Sequence, residues 1–266
     1  MKKLLLALLT GAAALTLVAC GDKNTLVVGT NAAFPPFEYK DANGNITGFD
    51  MDLITKYAES VGKKVKIKDM DFGAALTSAS KGKVDIAIAG ITKNETREKT
   101  LSFSDGYYSS NQVVVLSTTN AEYVNSQTET LSADEKVAYI IKYLEGKKIG
   151  VQSATTGQFY VEGDEDWEFD GISGATCKPY DNGGLAIKDL SDGKLDAVVL
   201  DEAPAKNIVT KTYSSKLSIL DSALTEEEYA IAVKKGNTEL VNSLNAFIAE
   251  IKSNGEYNAL LEKYFG

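Results

Sequence analysis

The chain has 266 residues, a formal net charge of −9 and no histidine. The acidic balance argues against nucleic acid, which calls for a basic face. The missing histidine removes Ser-His-Asp and Cys-His nucleophile systems and argues against a zinc site, while carboxylate or lysine catalysis stays open.

The opening MKKLLLALLTGAAALTLVACGDK places two lysines before an apolar run from Leu4 to Ala19. That run is too short to span a bilayer comfortably and polar residues follow it, so residues 1–19 read as a signal peptide. The ending LVAC resembles a bacterial lipobox, with Cys20 as the lipidation site; a plain secretory signal is the alternative. Residues 20–25 are then a lipidated tether, and the mature protein is expected to be extracytoplasmic and anchored to the cell membrane. Loss of the two lysines takes the charge from −9 to −11. After Cys20 only Cys177 remains, so no internal disulfide is expected and core burial must carry stability. Roughly 245 mature residues suffice for one large domain or two lobes.

LVVGT (26–30) reads as a buried strand, and residues 49–61 place Phe49, Leu53, Tyr57, Ala58 and Val61 at helical spacing before Gly62. VKIKDM (65–70) is a strand, AALTSASKG a helix stopping at Gly82, and VDIAIAG (84–90) another apolar strand. This alternation predicts a parallel α/β sheet. KKIGV (147–151), GLAIKDLSDG and KLDAVVL (194–200) repeat the grammar. GKVDIAIAG (82–90) and GKLDAVVLD (193–201) are alike in type, as two similar lobes or any two helix-to-strand joints would be. Residues 118–136 are polar at first and read as a surface excursion, with a helix from Ser132 to Leu144. At the C-terminus Leu240, Leu244, Phe247, Ile248 and Ile251 share a helix face, Asn254-Gly255 interrupts it, and ALLEKYF closes the chain.

Open parallel sheets bind ligands beyond the carboxyl ends of their strands. Asn31 and Phe34 follow the first strand, and Asp71 and Phe72 the second. Gly90, Thr92 and Arg97 follow the third; Gln152, Ser153, Thr155 and Thr156 follow KKIGV; Asp201 follows AVVL. A cation and an anion on facing lobes suit a zwitterion. Arg97 is the only arginine in the chain, although lysine is used freely. Asn94 is its expected N-cap, which makes Arg97 the third residue of a helix starting at Glu95. A cation there opposes the helix dipole, so the residue is either an exposed partner of a neighbouring glutamate or a two-pronged anion ligand that lysine could not replace. Phe34, beside Pro35-Pro36, and Phe72 are either packing residues or a ligand platform. Two sequons, Asn45-Ile46-Thr47 and Asn94-Glu95-Thr96, are read as chance spellings.

GTNAAFPPFEYKDANGNITGFDMDL, DIAIAGITKNETREKTLSFSDGYY, GVQSATTG and AVVLDEAP together resemble the polar amino acid-binding proteins of bacterial ABC importers, solute-binding protein family 3. The likeness is to glutamine-binding and histidine- or lysine-arginine-ornithine-binding members, and runs from about residue 26 to 266, looser at 118–145 and 160–182. It implies an α/β, two-lobed, type II periplasmic-binding-protein-like fold, each lobe a mostly parallel sheet flanked by helices, closing about a hinge of two crossings. Lobe 1 would be 26–106 with 229–266, lobe 2 112–225, and the hinge 107–111 with 225–229.

The resemblance also implies roles. Arg97 would grip a ligand α-carboxylate with help from Thr92, Thr155 and Thr156; the Gly90 carbonyl, Thr92 and Asp201 would hold the α-ammonium; Phe34 and Phe72 would sandwich the side chain. Asn31 stands where relatives often carry aspartate, and Gln152 where glutamine binders carry lysine, which points to a polar uncharged L-amino acid such as glutamine. The DEDWEFDGISGATCKPYDNGG segment departs from the family. The expected protein is a monomeric, non-enzymatic lipoprotein without cofactor or metal, partnered by ABC permease subunits. The alternatives are an enzyme on the same fold, such as a dehydratase, and a ligand-sensing subunit.

Overall fold

Two five-stranded sheets of the same design organise the chain in the computed structural model, which describes residues 24–266. The predicted signal peptide, Cys20 and the start of the tether lie outside the described residues. β1 (Thr25–Thr30) leads into a small antiparallel sheet of β2 (Ala33–Phe34), β3 (Glu38–Lys40) and β4 (Ile46–Thr47). There follow α1 (Phe49–Ser60), β5 (Lys64–Asp69), α2 (Phe72–Ser80), β6 (Ile86–Ala87), α3 (Glu95–Glu98) and β7 (Leu101–Phe103). β8 (Tyr108–Ser110) carries the chain into the second lobe. There β9 (Gln112–Ser117), α4 (Thr118–Thr128), α5 (Ala133–Leu144), β10 (Lys148–Gln152), α6 (Thr156–Glu162) and β11 (Thr176–Tyr180) precede α7 (Gly183–Ser191), β12 (Ala197–Asp201), α8 (Glu202–Ile208) and β13 (Leu217–Ile219). β14 (Glu227–Tyr229) returns it to β15 (Ala232–Lys234), α9 (Thr238–Asn254) and α10 (Glu256–Phe265).

The strand orders are β5-β1-β6-β15-β7 and β11-β10-β12-β9-β13. In each sheet the first three strands are parallel, β11 being a strand that the sequence reading did not predict, and the last two pair antiparallel. The shared spelling GKVD/GKLD has a physical cause. The Asp85 carboxylate accepts from the Val27 N–H at 2.8 Å, and the Asp196 carboxylate accepts from the Lys148 N–H at 2.8 Å. Each aspartate N–H also donates back to the same residue's carbonyl at 2.9 Å, so the aspartate closes the ladder to the third strand one residue before the regular pairs Val28–Ile86 and Ile149–Ala197 begin.

Two expectations need correction. Residues 118–128 are no loose excursion but the helix α4, capped by Ser117, which buries Ala121, Val124 and Thr128. Those positions share a helix face, but only two are apolar, so the periodic signal is faint. The run 84–90 pairs regularly only at Ile86–Ala87; the chain then bends into the cleft. The predicted α5 is present, with Ser132 and Glu135 forming a reciprocal capping box.

α1 turns Phe49, Leu53, Ile54 and Tyr57 into the core, and burying each aliphatic side chain contributes about 1.5–3 kcal/mol. β8 and β14 pair antiparallel between the sheets. Their Tyr108 and Tyr229 rings stack at 5.8 Å, and Phe37 meets them edge-on at 4.8 and 5.2 Å. Among the described residues no helix is long and apolar enough to cross a membrane.

The aspartate contacts generate a prediction. Asp85→Ala and Asp196→Ala each remove a charge-assisted bond at a sheet margin and should lower unfolding free energy by about 1–2 kcal/mol in urea titrations. An unchanged midpoint in both would show that water replaces the carboxylate at no cost.

Candidate ligand-binding site

The site is assembled from strand ends. Beyond β6, Gly90 adopts φ +56°, and a Cβ there would lie 2.7 Å from the Phe34 ring. Only glycine lets the backbone pass so close beneath that aromatic. The Gly90 N–H donates to Asp50 Oδ2 at 3.0 Å, and the Tyr107 hydroxyl donates to the same oxygen at 2.9 Å. Burial pushes the Asp50 carboxyl up to about 6, partly offset by these two donors. Buried Glu38 lies against it, its carboxyl raised first by desolvation and then by the Asp50 charge.

α3 opens as the sequence predicts: the Asn94 side chain accepts from the Arg97 N–H at 2.8 Å. The Arg97 side chain points inward and is 7% exposed. Its Nη1 donates to the Thr92 carbonyl at 2.7 Å, and its Nη2 donates across the cleft to the Ala154 carbonyl at 3.2 Å. The Phe72 ring covers the guanidinium at 5.3 Å and the Trp167 ring at 5.0 Å. Burial pulls its pKa down to about 10, and the charges of Glu227 and Asp201 oppose that shift, so it remains a cation at neutral pH. Glu98 instead faces Lys93, at 3.8 Å; the surface-pair alternative for Arg97 does not describe this side chain.

The second lobe supplies the opposite wall. After β10 the backbone at Ala154 enters the left-handed region, φ 63°, and turns into α6. Thr155 Oγ1 donates to the Gln152 carbonyl at 2.7 Å, and Thr156 Oγ1 lies 3.4 Å from Thr92 Oγ1. Gln152 Nε2 donates to Asn31 Oδ1 at 3.1 Å, and Asn31 Nδ2 donates to the Met70 carbonyl at 3.0 Å. At the end of β12 the Asp201 carboxylate is buried and accepts from the Tyr229 hydroxyl at 2.5 Å. That hydroxyl in turn accepts from Ser110 Oγ at 3.0 Å. Burial, and then the nearby Glu227 charge, push Asp201 up to about 7 against the Tyr229 bond.

A tight cavity, with about 10 Å³ open to water-sized molecules, lies between these walls. Phe34, Phe72, Gly90, Thr92, Arg97, Gln152, Thr155, Thr156 and Asp201 line it together with Ala89. Asn31, the remaining predicted residue, stands behind Gln152 and meets the cavity through it. A wider acidic depression opens outside, with Glu95, Glu165 and Glu226 to Glu228 on its rim. Among the described residues no group of acidic or cysteine side chains could hold a metal ion.

Four participants escaped the sequence reading. Glu227 accepts from the Thr92 hydroxyl, and from Thr225 Oγ1 at 2.8 Å. It and Tyr229 sit on the return crossing, where no strand end drew attention to them. Asp50 left a legible trace, an acid on the same helix face as Ile54 and Tyr57. Trp167 comes from the segment that departs from the family pattern and left none.

The model of the bacterial extracellular solute-binding proteins, family 3, matches residues 26–266. The L-cystine-binding protein TcyJ of Escherichia coli (strain K12) is 28% identical over 92% of this chain and 84% of its own length. An ancestral arginine-binding protein, solved with arginine bound, superposes with a TM-score of 0.78 at 36% identity, covering 92% of this chain and 99% of that one. The ancestral amino acid-binding protein AncCDT-1, a precursor of cyclohexadienyl dehydratase, superposes with a TM-score of 0.74 at 29% identity, covering 91% and 96%. Two lobes of type II periplasmic-binding architecture agree with these solved structures. The chain belongs to the bacterial extracellular solute-binding proteins, family 3.

Proposed function

We propose that this protein captures a polar L-amino acid in the cavity between its lobes and delivers it to an ABC permease, tethered to the membrane through lipid on Cys20. The observation that carries the reading is a buried guanidinium and a buried carboxylate lining one small enclosed cavity. Arg97 takes the α-carboxylate, supported by Thr92, Thr155 and Thr156. Asp201, Thr92 and the Gly90 carbonyl take the α-ammonium. Phe34 and Phe72 flank the side chain, and the paired strands β8 and β14 are the hinge. Binding without covalent chemistry fits this set, because Asp201, the one carboxylate lining the cavity, is taken up by the ligand ammonium.

The far end of the cavity speaks to the substrate class. The Met70 carbonyl orients the Asn31 amide, whose oxygen orients the Gln152 amide, leaving buried Gln152 Oε1 without a protein donor. A ligand side chain carrying an N–H there satisfies it; a side-chain carboxylate does not. Glutamine therefore fits, and glutamate, of nearly the same shape, should bind about 1–3 kcal/mol more weakly in calorimetry. Equal affinities would remove Gln152 from the subsite.

Arg97→Lys keeps the charge but loses the fork. Its affinity for the cognate amino acid should fall by about 1–3 kcal/mol, again by calorimetry. Wild-type affinity in that variant would sink the carboxylate role.

The pH dependence has a definite sign. Asp201 carries a folded-state pKa of about 7, above its ordinary value of 3.8, so ionising it costs the ligand-free closed protein stability as pH rises toward 7. A ligand ammonium needs the ionised form. Affinity should therefore weaken by up to about tenfold per pH unit as pH falls below 7, and Asp201→Asn should flatten that slope. A wild-type affinity constant between pH 5.5 and 7.5 would exclude Asp201 as the ammonium acceptor.

A further inference from the structure

The lone tryptophan of the chain lies on its lone arginine, and nothing in the reading above gives it a task. Trp167 belongs to the turn from Asp164 to Phe169 in the second lobe, which is tightly preformed. The Asp164 side chain accepts from the Trp167 N–H at 3.2 Å, and Asp164 and Phe169 exchange backbone hydrogen bonds of 2.9 and 3.1 Å. Left-handed Gly163 and Gly171 sit on either side of the turn, and a Cβ at Gly171 would press on the Glu162 carbonyl at 2.8 Å. The indole is propped from behind by Phe159 at 4.9 Å and Phe169 at 6.1 Å.

The hydrogen bond, ion pair and cation–π contact this turn makes with the first lobe fall on α3 or the residue after it. The indole covers the Arg97 guanidinium at 5.0 Å, the Asp166 carbonyl accepts from Thr96 Oγ1 at 2.7 Å, and the Asp166 carboxylate meets Lys99 Nζ at 2.7 Å. Phe72 of the first lobe also lies over the same guanidinium, at 5.3 Å. With two rings packed on the guanidinium, its N–H groups are what a ligand would hydrogen-bond. An aromatic roof also keeps water from a bound carboxylate, which strengthens the pairing and slows release.

We propose that the Asp164–Phe169 turn is a strap that fastens onto α3 as the lobes close, with Trp167 acting as a positioning residue that holds the Arg97 guanidinium edge-on to the ligand. This rests on the reading of Arg97 as the carboxylate clamp. The Lys99–Asp166 pair is largely exposed on both sides and is expected to contribute little; the indole carries the effect.

The test uses the purified protein with L-glutamine, L-arginine, L-histidine and L-cystine as probes, taking forward the one that binds tightest. Saturation should reduce acrylamide quenching of the tryptophan emission, which reports Trp167 alone. Trp167→Ala should speed ligand dissociation about tenfold in stopped flow, leaving the association rate within about threefold. Trp167→Phe should restore most of the loss, and Lys99→Ala should change dissociation by less than about threefold. If a probe binds with heat but quenching is unchanged and Trp167→Ala releases it at the wild-type rate, the strap is overturned and the binding reading stands. If none of the probes produces heat, the binding reading falls and the strap with it.

Discussion

A guanidinium held out of water is the constraint around which the cleft is built. Removing a cation from solvent costs several kcal/mol unless its donors are satisfied and its charge is balanced. Arg97 meets only part of that demand with protein groups, since its hydrogen-bond partners are two neutral carbonyls. One carbonyl lies on its own lobe and the other across the cleft, so the side chain also ties the lobes together. Its place in the first turn of α3 adds a mild conflict with the helix dipole, eased by the acidic Glu95 and Glu98. On the proposed reading, an incoming carboxylate supplies the missing counter-charge. Lysine, a compact charge without the planar fork, would not hold this position in the same way.

The mixed sheets follow from the same geometry. β1, β5 and β6, and likewise β10, β11 and β12, run in parallel and end at the cleft, where they deliver their side chains. β9 starts directly after the crossing strand β8, and β15 directly after β14. Both therefore enter their sheets from the cleft side and must run against the strands that end there. Gln112 at the start of β9 lies opposite Asp201 at the end of β12, and Ala232 at the start of β15 lies opposite Ala87 at the end of β6. The antiparallel half of each sheet is thus the consequence of entering a lobe at the hinge.

Much of this was legible in the residues. Five of the six parallel strands, with α1, α5 and α9, announce themselves by apolar patterning, whereas β11 has no buried residue and does not. The rule that ligands meet strand ends leads to the ten residues found in or behind the cavity, and also to Asp71 and Ser153, which do not line it. What escaped did so for physical reasons. α4 has too few apolar residues for a periodic signal, and β14 and β15 are short strands whose directions depend on tertiary entry points. Trp167 reaches Arg97 only because a turn between two left-handed glycines carries it across the cleft. Long-range juxtapositions of this kind leave no trace in local spacing.

The charges of the cleft also bear on how closure and binding are linked. In the closed arrangement Asp201 and Glu227 repel each other, and burial disfavours both the Asp201 carboxylate and the Arg97 cation. A closed but empty cleft is for that reason electrostatically poor, however well its aromatic surfaces pack. On the proposed reading, a zwitterion brings an ammonium to Asp201 and a carboxylate to Arg97, and adds no net charge. The ligand then interacts differently with the closed and open forms, which is the condition for any ligand to shift a conformational equilibrium. A molecule carrying only one of the two charges would leave the other buried charge uncompensated, and would lose most of that differential. Selectivity for the amino acid backbone and the coupling of binding to closure therefore have one origin, the two opposite charges that the lobes bury from either side.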